Sequence, residues 1–120
     1  MVDVARRSCS PASWASARDA SAGRSSAPHV YVTQGYDFAD IAFVLTDDGI
    51  VNADAGTTEA TARAALSALR WRSSHPITHV VLTHAHWDHI GGLAAVWAPG
   101  TRVMAQARLA EELRSSTRPV

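Results

Sequence analysis

Three of the six histidines in the 120-residue chain fall within six consecutive positions, in the stretch Thr83-His84-Ala85-His86-Trp87-Asp88-His89-Ile90-Gly91-Gly92. In extended backbone, side chains two residues apart project to the same side. His84 and His86 would therefore share a face, with Cα atoms about 6.6 Å apart. Two imidazole nitrogens at that spacing can meet one zinc ion, each at about 2.0–2.1 Å. Asp88 and His89 follow on the turn beyond. They offer a hard oxygen and a further nitrogen, as a second ion roughly 3.5–4 Å from the first would require. Mixed nitrogen and carboxylate donors favour zinc, with manganese or iron as alternatives.

The flanking sequence supplies elements that would position such a cluster. "HVYVTQG" from His29 reads as a strand and turn. In the following stretch Ile41, Phe43 and Leu45 keep the two-residue period of a half-buried strand, Asp48-Gly49 marks a tight turn, and Ile50 to Ala53 runs back. Asp54 and Gly56 close that strand. Thr57 or Thr58 can cap a helix with Glu59 in its first turn and Arg70 and Arg72 in its last, a charge order that suits the helix dipole. Ala62, Ala65, Leu66 and Leu69 form its apolar stripe, and Glu59 can pair with Arg63. "ITHVVLT" is a strand whose Val80-Val81-Leu82 run suggests burial on both faces. A short helix over Leu93 to Trp97, a strand in "TRVMAQA" and a helix start in "RLAEELRSS" complete the order. Hairpin, helix, strand, helix, strand is a mixed α/β class. It places the histidine cluster just past the end of a buried strand, where ligands gather in open α/β sheets.

His84-x-His86-x-Asp88-His89, preceded by a strand and followed by Gly91-Gly92, resembles the signature of the metallo-β-lactamase superfamily. Such a combination would arise by chance at a given position about once in 10⁸ or less. Ile50-Val51-Asn52-Ala53-Asp54-Ala55-Gly56 is similar to that family's strand ending in Asp-x-Gly, so the resemblance runs over about residues 29–110. It implies the first half of an αββα sandwich, incomplete as it stands. His84 and His86 would bind one metal, and Asp88 and His89 a second, with Asp88 counted among the catalytic groups. Asp54 would sit behind the ligands and orient one of them through hydrogen bonds. The implied chemistry is hydrolysis of an ester-like bond (thioester, lactone, sulfate ester or similar) by hydroxide held between two zinc ions, on a small-molecule substrate.

Four donors shared between two ions supply two each, whereas a catalytic zinc usually takes three plus water. The chain has no histidine after His89, no aspartate after Asp88 and no cysteine after Cys9. Glu111 and Glu112, in a helix start, read as solvated surface. His79 lies roughly 16 Å from His84 along the strand and on its opposite face, and His29 and His75 read as strand-edge or loop residues. The expectation is therefore an N-terminal half that draws its remaining donors from a C-terminal half or a partner chain. The alternative is a non-catalytic metal-binding or interaction module with half a site.

Composition excludes other classes. Eleven basic residues, all arginine, balance eleven acidic ones, and residues 29–120 are net −2 with no basic stripe, which argues against nucleic acid. No apolar run approaches the roughly 18 residues that would span a bilayer. One cysteine fits a reducing, cytoplasmic setting. Residues 1–28 hold seven serines and seven alanines without an apolar segment, and read as a low-complexity, disordered leader outside the fold. Trp87 is expected to pack beneath the site.

Overall fold

The computed structural model describes residues 29–33 and 37–116. The leader assigned to residues 1–28, Gly35 and the chain's last four residues lie outside the described residues. Five strands form one sheet in the order β1 (Val30–Thr33), β2 (Ile41–Thr46), β3 (Gly49–Ala53), β4 (Ile77–Leu82) and β5 (Arg102–Ala105). Strands β1, β2 and β3 are antiparallel neighbours, while β3, β4 and β5 run parallel. The two parallel steps need crossovers. The first contains helix α1 (Glu59–Leu69), and the second contains the short helices α2 (Trp87–Ile90) and α3 (Leu93–Val96). Helix α4 (Leu109–Ser116) follows β5. This is the mixed α/β architecture expected from the sequence.

The β2–β3 hairpin forms as its alternation predicts, although its two turn residues are Asp47 and Asp48. Gly49 is the first residue of β3, at φ 141°, a backbone region disfavoured for other residues. Thr58 caps α1: its hydroxyl accepts from the Thr61 amide, and the Thr61 side chain accepts from the Thr58 amide in return. Glu59 and Arg63 pair at 3.0 Å. The helix stops earlier than its charge pattern suggests. Arg70 is the C-cap and Arg72 lies beyond it, so no basic residue occupies the last turn. Arg70 instead turns its guanidinium onto the carbonyls of Ser73 and His75, tying down the chain that leads into β4.

The helices cover one face of the sheet over β2, β3 and β4, while Val103 of β5 on that face stays exposed. Ile41, Phe43, Ile50, Val80 and Leu82 meet Ala62, Ala65 and Leu69 of α1 and Val96 of α3 in a single core. The pairing register assigns Val32, Ala42, Val44, Val51, Ala53, Val81 and Met104 to the other face. All of these are half-buried or exposed. The Val80-Val81-Leu82 run is thus buried on one side only among the described residues, which corrects the two-face expectation. An apolar run marks a strand, but it does not show that both coverings are at hand. Among the described residues no helix is long and apolar enough to cross a membrane.

Candidate metal centre

The sheet topology brings four loops to one end. Because β3 and β4 are parallel, Asp54 and Thr83 leave adjacent strands side by side, and the Asp54 amide donates to the Val81 carbonyl at 2.9 Å. Because β2 is antiparallel to β3, the segment Asp37–Asp40 that precedes it enters at the same end. The loop after β5 leaves there too.

Asp54 adopts φ 58° and is 7% exposed. This left-handed conformation is rare outside glycine but tolerated by Asp and Asn. Asn52 holds it from below, its side-chain amide donating to the Asp54 carbonyl at 3.0 Å and to the Ala42 carbonyl at 3.2 Å. The bend turns the Asp54 carboxylate towards the His84–His89 loop. Its Oδ1 accepts the Thr83 amide at 2.9 Å, and its Oδ2 lies 2.8 Å from His89 Nδ1. The Thr83 hydroxyl stands 2.9 Å from Oδ2 and 3.1 Å from Oδ1. The same hydroxyl lies 2.9 Å from His84 Nδ1.

Gly91 and Gly92 allow the two loops to close on each other. A Cβ at Gly91 would lie 1.8 Å from the Thr57 carbonyl oxygen, and one at Gly92 would lie 2.1 Å from that of Ala55. The contact is stitched by the Ala55 amide donating to the His89 carbonyl at 2.7 Å and the Gly92 amide donating to the Gly56 carbonyl at 3.2 Å. The glycine pair therefore provides backbone room, and that room sets His89 against Asp54.

The three clustered histidines come together. The His84 ring centroid lies 4.6 Å from that of His86 and 4.0 Å from that of His89. Asp88 Oδ2 stands 3.6 Å from His89 Nε2. Three imidazoles and a carboxylate in one loop are a chemically suitable donor set for zinc. With Nδ1 engaged in hydrogen bonds, His84 and His89 keep Nε2 for a ligand. The rings lean on one another, however, and among the described residues no group of three or more His, Cys, Asp or Glu side chains is arranged to hold an ion. His79 is apart from the cluster, its Nδ1 3.1 Å from the Thr78 hydroxyl.

Trp87 does not pack beneath the site. It is 61% exposed and meets the 87% exposed Phe38 edge to face, with ring centroids 5.9 Å apart. The reason is local: Ile90 is the residue of α2 that packs on the core, and Trp87, at the start of the helix, is left exposed. Phe38 is carried there by Asp37, whose carboxylate accepts the Thr57 amide at 2.5 Å, the Thr57 hydroxyl and the Thr61 hydroxyl at 2.7 Å. Burial pushes the Asp37 carboxyl up. The hydrogen bonds from Thr57, Thr61 and the Phe38 amide outweigh it and hold the group below its ordinary value. Thr83 and Asp37 were missed by sequence reasoning. For Thr83 the available signal was a hydroxyl residue between a strand end and the first histidine; Asp37 carried none.

The model of the metallo-beta-lactamase superfamily matches residues 36–100, more than half of the chain. An (R)-specific secondary-alkylsulfatase from Pseudomonas sp. is 40% identical over 70 residues, which are 58% of this chain and 11% of that protein. The solved structure of a stereoselective inverting sec-alkylsulfatase from Pseudomonas sp. superposes with a TM-score of 0.70 at 33% identity, covering 76% of this chain and 16% of that one. A metallo-beta-lactamase from Cronobacter sakazakii, altered in its HARLDQ motif, superposes at 0.60 with 26% identity, over 74% of this chain and 36% of that one. The chain thus spans about a tenth of the curated alkylsulfatase it matches. Sequence and fold agree: the chain belongs to the metallo-beta-lactamase superfamily.

Proposed function

We propose that this chain carries the histidine-rich part of a metal-dependent hydrolase acting on sulfate esters of organic alcohols. The observation that carries the reading is the gathering of His84, His86 and His89 at the end of β4, with Asp54 behind them. The likeness to alkylsulfatases narrows the ester-like bond expected from the sequence to a sulfate ester.

In this reading His84 and His86 would hold one zinc ion, and Asp88 and His89 a second. A bound metal pair supplies Lewis acidity and lowers the pKa of the water it holds. The chain's own residues supply position. Asp54 accepts the His89 Nδ1 proton and so directs Nε2 outward, and the Asn52 amide keeps the Asp54 backbone in its bent state. The Gly91-Gly92 contact keeps the histidine loop seated on the β3–α1 loop.

The test is release of inorganic sulfate from primary and secondary alkyl sulfates by the full-length protein loaded with zinc or manganese, beside thioester, lactone and β-lactam substrates. Sulfate release that disappears in His84→Ala and His86→Ala, together with lost metal, is the expected result. Activity retained in both variants would sink the mechanism. A preference for another bond class would remove the sulfatase assignment alone.

A second reading has its own support. Among the described residues no group of three or more His, Cys, Asp or Glu side chains is arranged to hold an ion, whereas a catalytic zinc usually takes three protein ligands. In that case the chain is a metal-binding or interaction module without catalysis. Stoichiometric zinc uptake with no hydrolysis of any of these substrates would favour it.

A further inference from the structure

We propose that Thr83 is a positioning residue that relays the Asp54 carboxylate to His84 and sets which nitrogen of that ring is free. The Thr83 hydroxyl has one hydrogen and three close neighbours: Asp54 Oδ2 at 2.9 Å, Asp54 Oδ1 at 3.1 Å and His84 Nδ1 at 2.9 Å. A carboxylate only accepts. If the hydroxyl gave its hydrogen to His84, its lone pairs would face both carboxylate oxygens unshielded. The hydroxyl therefore donates to Asp54, and the His84 contact requires the ring to donate from Nδ1–H. The identity of the protonated nitrogen follows from the bond the other groups impose.

His84 is thereby held as the Nδ1–H tautomer, with its lone pair on Nε2. This reverses the preference of a free histidine side chain in water, which favours hydrogen on Nε2. His89 reaches the same tautomer by direct donation to Asp54 Oδ2 at 2.8 Å. One buried carboxylate so dictates two rings, one directly and one through a hydroxyl. His86 is different: it is exposed, and as the N-cap of α2 it makes no side-chain capping bond. The cluster contains two preset rings and one adjustable one.

The relay stands on hydrogen-bond geometry, and only its consequence for zinc rests on the ligand reading above. The test is long-range proton–nitrogen correlation on the metal-free, histidine-labelled full chain, at a pH where the rings are neutral. In the wild type, Nδ1 of both His84 and His89 carries the hydrogen. Thr83→Val keeps the amide donor to Asp54 and the side-chain shape but removes the hydroxyl. His84 then moves to mainly Nε2–H while His89 stays as it was, and Thr83→Ser restores the wild-type pattern. A wild-type His84 with hydrogen on Nε2 overturns the relay without any variant, as does a Thr83→Val spectrum unchanged at His84. Zinc titration follows: Thr83→Val weakens binding by about 10- to 100-fold and Thr83→Ser does not. A switched tautomer with unchanged zinc affinity would keep the relay and overturn His84 as a ligand, so the two failures are told apart.

Discussion

His89 Nδ1 lies 2.8 Å from Oδ2 of Asp54, a residue 35 positions earlier in the chain. Neither residue is near the other in sequence; parallel pairing of β3 with β4 and the Gly91-Gly92 contact put them together. The histidine loop is therefore held in place by the strand beside it.

Replacing Asp54 separates the roles of its side chain and its backbone. Asp54→Asn tolerates φ 58° and preserves the bend, whereas Asp54→Ala adds about 1–2 kcal/mol of left-handed strain. Both lose the carboxylate, so both are expected to bind zinc about 10- to 100-fold more weakly. Competition titration against a zinc chelator reads the first effect and urea unfolding reads the second. Wild-type zinc affinity in both variants would make the Asp54–His89 pair a packing contact alone.

Gly92→Ala is a test of loop closure. Its methyl would meet the Ala55 carbonyl oxygen at 2.1 Å and the Ala62 Cβ at 2.6 Å. The loops must part, at an expected cost of about 1–3 kcal/mol by overpacking. Chemical denaturation measures that loss, and metal content should fall with it because the His89 carbonyl is bonded to Ala55. A stability equal to wild type would show that the loops are not packed as described.

Trp87→Phe should behave oppositely. With Trp87 61% exposed, stability is expected to stay within about 0.5 kcal/mol of wild type. Activity should change far less than in His84→Ala. Steady-state rates on the preferred substrate decide this, and complete loss would mean that the indole touches the substrate.

Asp37 predicts an acid-sensitive contribution to stability. Its folded pKa is held below the ordinary carboxylate value, so the unfolded chain takes up this proton first as pH falls. The stabilisation is present above the ordinary value, near 3.8, and is lost as pH falls through the lowered folded value. Asp37→Asn should therefore be less stable than wild type at neutral pH, with the gap closing below about pH 3.8. Urea unfolding across pH 3 to 7 checks it; a gap independent of pH would assign the loss to shape rather than charge.

What the sequence made legible was periodic or local. The β2–β3 hairpin, the Ala62–Leu69 stripe and the Glu59–Arg63 pair each depend on neighbours a few positions away, and each forms, the hairpin with its turn one residue earlier than read. The crowding of His84, His86 and His89 was visible because it is contiguous. Asp54 behind the cluster was expected from the family resemblance, but the links through Asp37 and Thr83 were not legible. Asp37 reaches Thr57 across 20 positions, and Thr83 reaches Asp54 across 29. Such contacts depend on strand order, which periodicity does not encode. The direction of Trp87 failed for a related reason: an aromatic residue in a motif suggests a core to pack on, but in α2 it is Ile90 that meets the core and Trp87 stays exposed.

The hairpin turn at Asp47-Asp48 stands at the end of the sheet opposite Asp54 and Thr83. Asp54, Thr83, His84, His86, Asp88 and His89 all leave from the other rim. At the Asp47-Asp48 rim the constraint is confined to Gly49, whose φ of 141° and closeness to Thr78 and Pro76 leave no room for a side chain. Lineages can recharge the exposed Asp47 and Asp48 at small cost while Gly49 is kept, whereas a side chain at Gly91 or Gly92 forces two loops apart. Variation among descendants of this chain should gather at Asp47 and Asp48 and avoid Gly91 and Gly92.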